Sequence, residues 1–206
     1  MKAAAIRRQF NTTARPPGVR QGLETRRRGD HDLNPWMAAT PPYKPAAVLV
    51  PVIDRPSGAT ILLTKRTDHL PDHPGQISFP GGSIEAADAN AAAAALREAE
   101  EEVGLPRAAV EIVGRLDDYV VRTGFLVSPF VGIIQPPLEL RPDPVEVAEV
   151  FEVPLDFILD TANHERHSRE IQGRESQFYV LPYEDRYIWG ATAGMLINLY
   201  EVLVAS

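Results

Sequence analysis

The stretch GGSIEAADANAAAAALREAEEEVGL, residues 81–105, decides how this chain is read. A double glycine opens it, a polar turn follows, and a helical pattern runs from about 91 to 103. Asn90 or Asp88 supplies an N-cap, Gly104 the C-terminal stop, and Pro106 lies just beyond. On a helical wheel Ala92, Leu96, Ala99 and Val103 form one narrow stripe, small enough to sit close against a sheet. Glu98, Glu101 and Glu102 fall on a different side at i, i+3 and i+4, and Glu100 points away. Glu98 and Glu102 are a like-charge i,i+4 pair, destabilising by about 0.2–0.5 kcal/mol when exposed. Arg97 can reach Glu101, while Glu98 and Glu102 have no helical Lys or Arg partner. Three carboxylates with one local counter-charge, beside glycines that can present a carbonyl, fit a hard divalent cation, Mg²⁺ or Mn²⁺.

Outward from the helix, the rest of the chain alternates strands with a few helices. PAAVLVPVI (45–53) and ATILLTKR (59–66), separated by the turn cluster DRPSG, read as a hairpin. Pro51 inside the first run predicts a bulge or an edge position. GQISFPGGS (75–83) is a short strand entering the glycine loop. VEIVGRLDDYVV (110–121) and FLVSPFVGII (125–134) are strand-like, as is VEVAEVFEV (145–153), which leads into a short helix PLDFILD. The polar stretch 161–176 reads as a loop. QFYVLPY and RYIWG form a second hairpin, and ATAGMLINLYEVL (191–203) is an apolar helix. The pattern predicts an α/β (α+β) architecture, a mixed β-sheet flanked by helices.

At 206 residues and 44% hydrophobic, the chain can bury one core. Residues 1–44 read as a partly basic N-terminal extension and 45–206 as the folded domain. Net charge is −7, but residues 1–30 carry about +6 and the remainder about −13. An acidic body does not suit nucleic acid and does suit a cation site. There is no cysteine, hence no disulfide or thiolate chemistry. No apolar run is long enough to span a bilayer, so no membrane is expected as a partner. The Arg-rich start reads as an arm rather than a transit peptide, because Pro16, Pro17 and Gly18 interrupt any long amphipathic helix. With no peroxisomal ending, a cytoplasmic location is expected. The oligomeric state is not legible.

The glutamate helix and its approach resemble the Nudix box, G-x5-E-x7-R-E-U-x-E-E-x-G-U, with U aliphatic. REAEEEVGL (97–105) meets every specified position if Ala99 is taken as aliphatic. The front half departs, with Asp88 in place of Glu and eight residues rather than seven before Arg97. An Asp and an extra residue mark a subgroup that resembles coenzyme A pyrophosphatases and carries L-L-T-x-R-[SA]-x3-R-x3-G-x3-F-P-G-G upstream. Here LLTKRTDHLPDHPGQISFPGG (62–82) keeps Leu62, Leu63, Thr64, Arg66, Gly75 and Phe79 to Gly82, with Thr67 for the small residue and Pro71 for an arginine. DYVVRTGFLVSPFVG (118–132), VEVAEVFEVPL (145–155) and YIWGATAGML (187–196) resemble later blocks of the same subgroup.

The resemblance implies a Nudix-type α/β/α sandwich and metal-dependent hydrolysis of a nucleoside diphosphate derivative. It implies Glu98, Glu101, Glu102 and the Gly82 carbonyl as metal ligands, and Arg97 as a brace to Asp88 or Glu101. The substrate it implies is coenzyme A or acyl-coenzyme A, cut to 3′,5′-ADP and 4′-phosphopantetheine or its acyl form. Because Pro71 removes a cation, ADP-ribose, a dinucleotide or a nucleoside triphosphate stands as the alternative. A non-catalytic nucleotide-binding module is a further one, disfavoured by the retained glutamates. Glu146 is the candidate outside the box for a base or ligand, and Arg66 and Arg122 for phosphate contacts. His69 and His73 flank Pro71 and do not share a helix face, and HERH (164–167) lacks a third ligand. Asp117 and Asp118 read as an acidic patch or a strand end, and Trp189 and Tyr187 as core residues rather than base-stacking ones.

Overall fold

The computed structural model describes residues 1–11 and 27–204. Strand β1 (Arg27–Gly29) is preceded by helix α1 (Ala3–Asn11). Next come β2 (Lys44–Arg55), β3 (Gly58–Arg66), β4 (Ile77–Ser78), β5 (Gly81–Ser83) and α2 (Ala91–Val103). The chain continues through β6 (Val110–Arg115), β7 (Asp118–Val120), β8 (Phe125–Ile134), β9 (Val147–Pro154) and α3 (Leu155–Leu159). It closes with β10 (Glu165–Ile171), β11 (Arg174–Tyr183), β12 (Arg186–Trp189) and α4 (Gly190–Val204).

The long apolar run 46–53 becomes the axis of a nine-stranded mixed sheet, because β2 is buried on both faces. Its odd positions Ala47, Leu49 and Ile53 join Leu62 and the α2 residues Ala94, Ala95, Ala99 and Val103 on one side. Its even positions Ala46, Val50 and Val52 join Ile61 and Leu63 on the other, under α1, α3 and α4. Period-two alternation therefore sends one strand into both cores, giving the helix–sheet–helix layering that the sequence predicts. β2 runs parallel to β8 along its length and antiparallel to β3.

Pro51 is neither bulged nor on an edge strand. Along that flank β2 pairs with β5 at residues 46–48 and with β3 at 52–55, so Pro51 falls in the gap between two partners. A missing N–H at that point breaks no ladder.

The segment 161–176 is not a loop. β10 and β11 form a hairpin around Gln172 and Gly173, both at positive φ, and with β12 make a separate antiparallel sheet. Most of β10 is exposed, so the apolar alternation that marks a half-buried strand is missing from its sequence.

The expected N-terminal extension over 1–44 is not an appendage where it is described. Ala3, Ile6 and Phe10 of α1 are fully buried in the main core, Phe10 against Gly114. β1 pairs in parallel with β7. The Arg28 guanidinium bonds the buried carboxylate of Asp117 at 2.8 Å and pairs with Glu201 of α4. Asp118 is bonded to Arg115 and Ser128, so these two aspartates are braced structural groups and not a free patch. The Pro16–Gly18 break lies outside the described residues.

Truncating Phe10 to Ala leaves a cavity beside Gly114 in the main core. Phe10→Ala is expected to cost about 3–5 kcal/mol in urea unfolding, whereas a detachable arm would lose almost nothing.

Candidate active site

α2 owes its position to its ends and its small stripe. The Asn90 side chain accepts from the Ala93 N–H at 2.9 Å, and Gly104 closes the helix at φ 68°, where any other residue is strained. The buried stripe is Ala94, Ala95, Ala99, Glu102 and Val103, rotated from the predicted one, with Ala92 and Leu96 only half-buried. That rotation carries Glu102 into the sheet.

Arg97 organises the rest. Its guanidinium donates to both Asp88 carboxylate oxygens at 3.0 Å, to Glu98 Oε1 at 2.9 Å, to Glu101 Oε2 at 3.0 Å and to the Ser83 carbonyl at 3.2 Å. Glu98 therefore does have a helical cationic partner, contrary to the i,i+4 expectation, because the two side chains bend toward the same loop. Asp88 also caps the Glu85 N–H at 2.8 Å, and the turn 85–90 absorbs the extra residue so that Asp88 still reaches Arg97. Paired with the arginine, the Asp88 carboxyl lies below its ordinary range, and Arg97 is held more firmly protonated.

Glu98 and Glu102 face the glycine loop. A Cβ on Gly82 would stand 2.5 Å from Glu98 Oε1, so a side chain there would push the Glu98 carboxylate out of this position. Burial, then repulsion from Glu98 and Glu146, pushes the Glu102 carboxyl up to about 8; Arg66 and the Gly81 backbone oppose the rise. Glu102 Oε2 is buried with no hydrogen-bond partner. Burial raises Glu98 as well. Glu101 is exposed and turned to Arg97, and Glu100 pairs outward with Arg107 at 2.8 Å. Among the described residues no three Asp, Glu or His groups stand together as a ready coordination set. The donor set nevertheless fits a hard cation: an orphaned buried oxygen, destabilised carboxylates and a glycine cradle.

Glu146 lies just before β9, half-buried, and its charge acts on Glu98 and Glu102. Arg66 ends β3 with its Nε buried and unbonded. A cavity of about 460 Å³ opens from Gly81, Gly82 and Arg66 toward Arg122, whose N–H donates to Asp30 at 2.8 Å. Its opposite wall is the small sheet, including Arg169, Phe178 and Trp189. The loop reading of 161–176 hid Arg169. Trp189 is on this wall rather than in the core, and Tyr187 is exposed. His73 bonds Gln76 at 2.9 Å and joins no cluster.

Residues 43–172 match the NUDIX domain family model. The chain is 43% identical over 157 residues to an uncharacterized Nudix hydrolase, NudL, of Escherichia coli (strain K12), covering 76% of this chain and 81% of that one. The NudL of Enterobacter sp. (strain 638) is 43% identical over 154 residues, covering 75% and 80%. Among solved structures, a C. elegans Ap4A hydrolase binary complex is similar at a TM-score of 0.47 and 18% identity, over 54% of this chain and 80% of that one. The chain belongs to the Nudix family of hydrolases, which cleave diphosphate bonds in nucleoside diphosphate derivatives and generally use divalent ions such as Mg²⁺ or Mn²⁺. Among the described residues no helix is long and apolar enough to cross a membrane.

Folded Glu102 keeps its proton to about pH 8, whereas an unfolded glutamate loses it near 4.5. The folded state thus binds the extra proton between those values, and this contribution to stability falls as pH rises from 4.5 to 8. Urea melts in chelator are expected to lose a few kcal/mol across that window, and Glu102→Gln is expected to remove most of the slope.

Proposed function

We propose that the protein hydrolyses the diphosphate of coenzyme A or acyl-coenzyme A, giving 3′,5′-ADP and 4′-phosphopantetheine or its acyl form. The observation that carries this is the pairing of the upstream motif with the box at one cavity. β3 and β4 pair through Thr64↔Ser78 and Lys65↔Ile77, and Arg66, Phe79, Gly81 and Gly82 line one cavity, with Gly82 against Glu98. A bent substrate with a diphosphate at one end of an apolar cavity suits that shape.

Glu98, Glu101, Glu102 and the Gly82 carbonyl are the groups that would hold Mg²⁺ or Mn²⁺, which when bound neutralises phosphate charge and acidifies a water. Arg66 and Arg122 bind the diphosphate oxygens, Arg66 supplying charge next to the carboxylates. Glu146 accepts a proton from the attacking water at a carboxylate oxygen as the water oxygen bonds phosphorus. The bridging P–O bond breaks, and the leaving phosphate takes its electron pair. Arg97 touches no substrate; it fixes the orientation of Glu98 and Glu101. The cytoplasm is the expected location.

The test is product analysis with Mg²⁺ or Mn²⁺ on coenzyme A, acetyl-coenzyme A, ADP-ribose, NADH and dGTP, with EDTA as control. 3′,5′-ADP is expected from coenzyme A faster than products from the rest. Glu101→Gln and Glu102→Gln are expected to lower kcat by orders of magnitude while the circular dichroism spectrum stays unchanged. Preferential cleavage of ADP-ribose would show that the loss of the arginine at Pro71 had moved the specificity.

A further inference from the structure

The family match ends at residue 172, yet the cavity does not. Its far wall comes from one face of the small sheet. Register pairs Arg169 with Ser176, His167 with Phe178 and Val180 with Trp189, so period-two alternation sets Arg169, Phe178 and Trp189 on a single face. The Arg169 guanidinium lies 4.7 Å from the Trp189 ring centroid and 5.6 Å from that of Phe178. The two rings meet edge-on at 5.5 Å. The aromatic shelf covers part of the guanidinium, and no carboxylate pairs with it among the described residues.

Arg27, Arg166 and Arg174 also lie over aromatic rings, but none of them lines the cavity, and Arg169 does. A guanidinium stacked on an aromatic face keeps its in-plane N–H donors free, and that fork matches a phosphate. The reacting diphosphate belongs at the other wall, with Arg66 and the glutamates. A second anionic group, remote from the bond that breaks, is what this wall can read.

We propose that Arg169, braced by Trp189 and Phe178, is a specificity-determining residue that binds the phosphate monoester on the substrate's ribose. This inference rests on the coenzyme A reading, whose substrate carries such a group on the 3′ carbon. Arg169 takes no part in the hydrolysis itself. Its contribution is made equally in ground and transition states, so it acts on KM and on the choice between substrates.

The test separates binding from turnover. Affinities of 3′,5′-ADP and 5′-AMP are measured by calorimetry on the full chain and on Arg169→Ala, an exposed strand position whose truncation leaves the core intact. The full chain is expected to favour 3′,5′-ADP by roughly 10- to 100-fold, the worth of a charged hydrogen-bond pair, and Arg169→Ala to erase that preference while leaving 5′-AMP binding unchanged. No preference in the full chain, or one that survives Arg169→Ala, overturns the proposal. Turnover of coenzyme A against 3′-dephospho-coenzyme A is read in parallel. If coenzyme A is not cleaved but the Arg169-dependent preference persists, the reaction reading fails and the phosphate site stands.

Discussion

One guanidinium holds the site together. Arg97 joins the 83–88 turn to α2 and bonds three carboxylates, Asp88, Glu98 and Glu101, offsetting part of their mutual repulsion. Its planar fork fixes direction as well as charge, which a lysine would not do. The turn is tied at its other end by the Asp88 contact to the Glu85 N–H. Gly82 then lies against Glu98 with no side chain between them. Every later feature of the site assumes that fixed spacing.

Glu102 shows the opposite arrangement. It has no cation of its own on the helix and sits under the sheet with one oxygen unbonded. Burial without a partner is costly, and the protein meets the cost with a packed alanine face on α2 and a two-sided core around β2. Local strain at a site of this kind is carried by the surrounding core.

The layered fold was legible wherever a segment buries one or both faces. The run at 46–53, the hairpin to 59–66, the helix between Asn90 and Gly104 and the terminal apolar helix all follow from periodicity and caps. β10 was not legible, because an exposed strand held by a Gln172–Gly173 turn carries no hydrophobic alternation. α1 was visible as a short helix, but its burial depends on a pocket made by residues a hundred positions away. At the site, the grouping of Glu98, Glu101 and Glu102 apart from Glu100 could be read from helical spacing. The Arg97–Glu101 pair follows from i,i+4 spacing, but the burial of Glu102 could not be read, because it depends on the rotation of α2 about its axis.

The small sheet and the large one share no strand, yet they face each other across one cavity. Floor and wall are therefore separable inheritances. Changes to the exposed hairpin of β10 and β11 can alter what the cavity accepts without disturbing the hydrogen bonds that aim the glutamates. What the cavity admits and how the glutamates are aimed are therefore set by different parts of the fold.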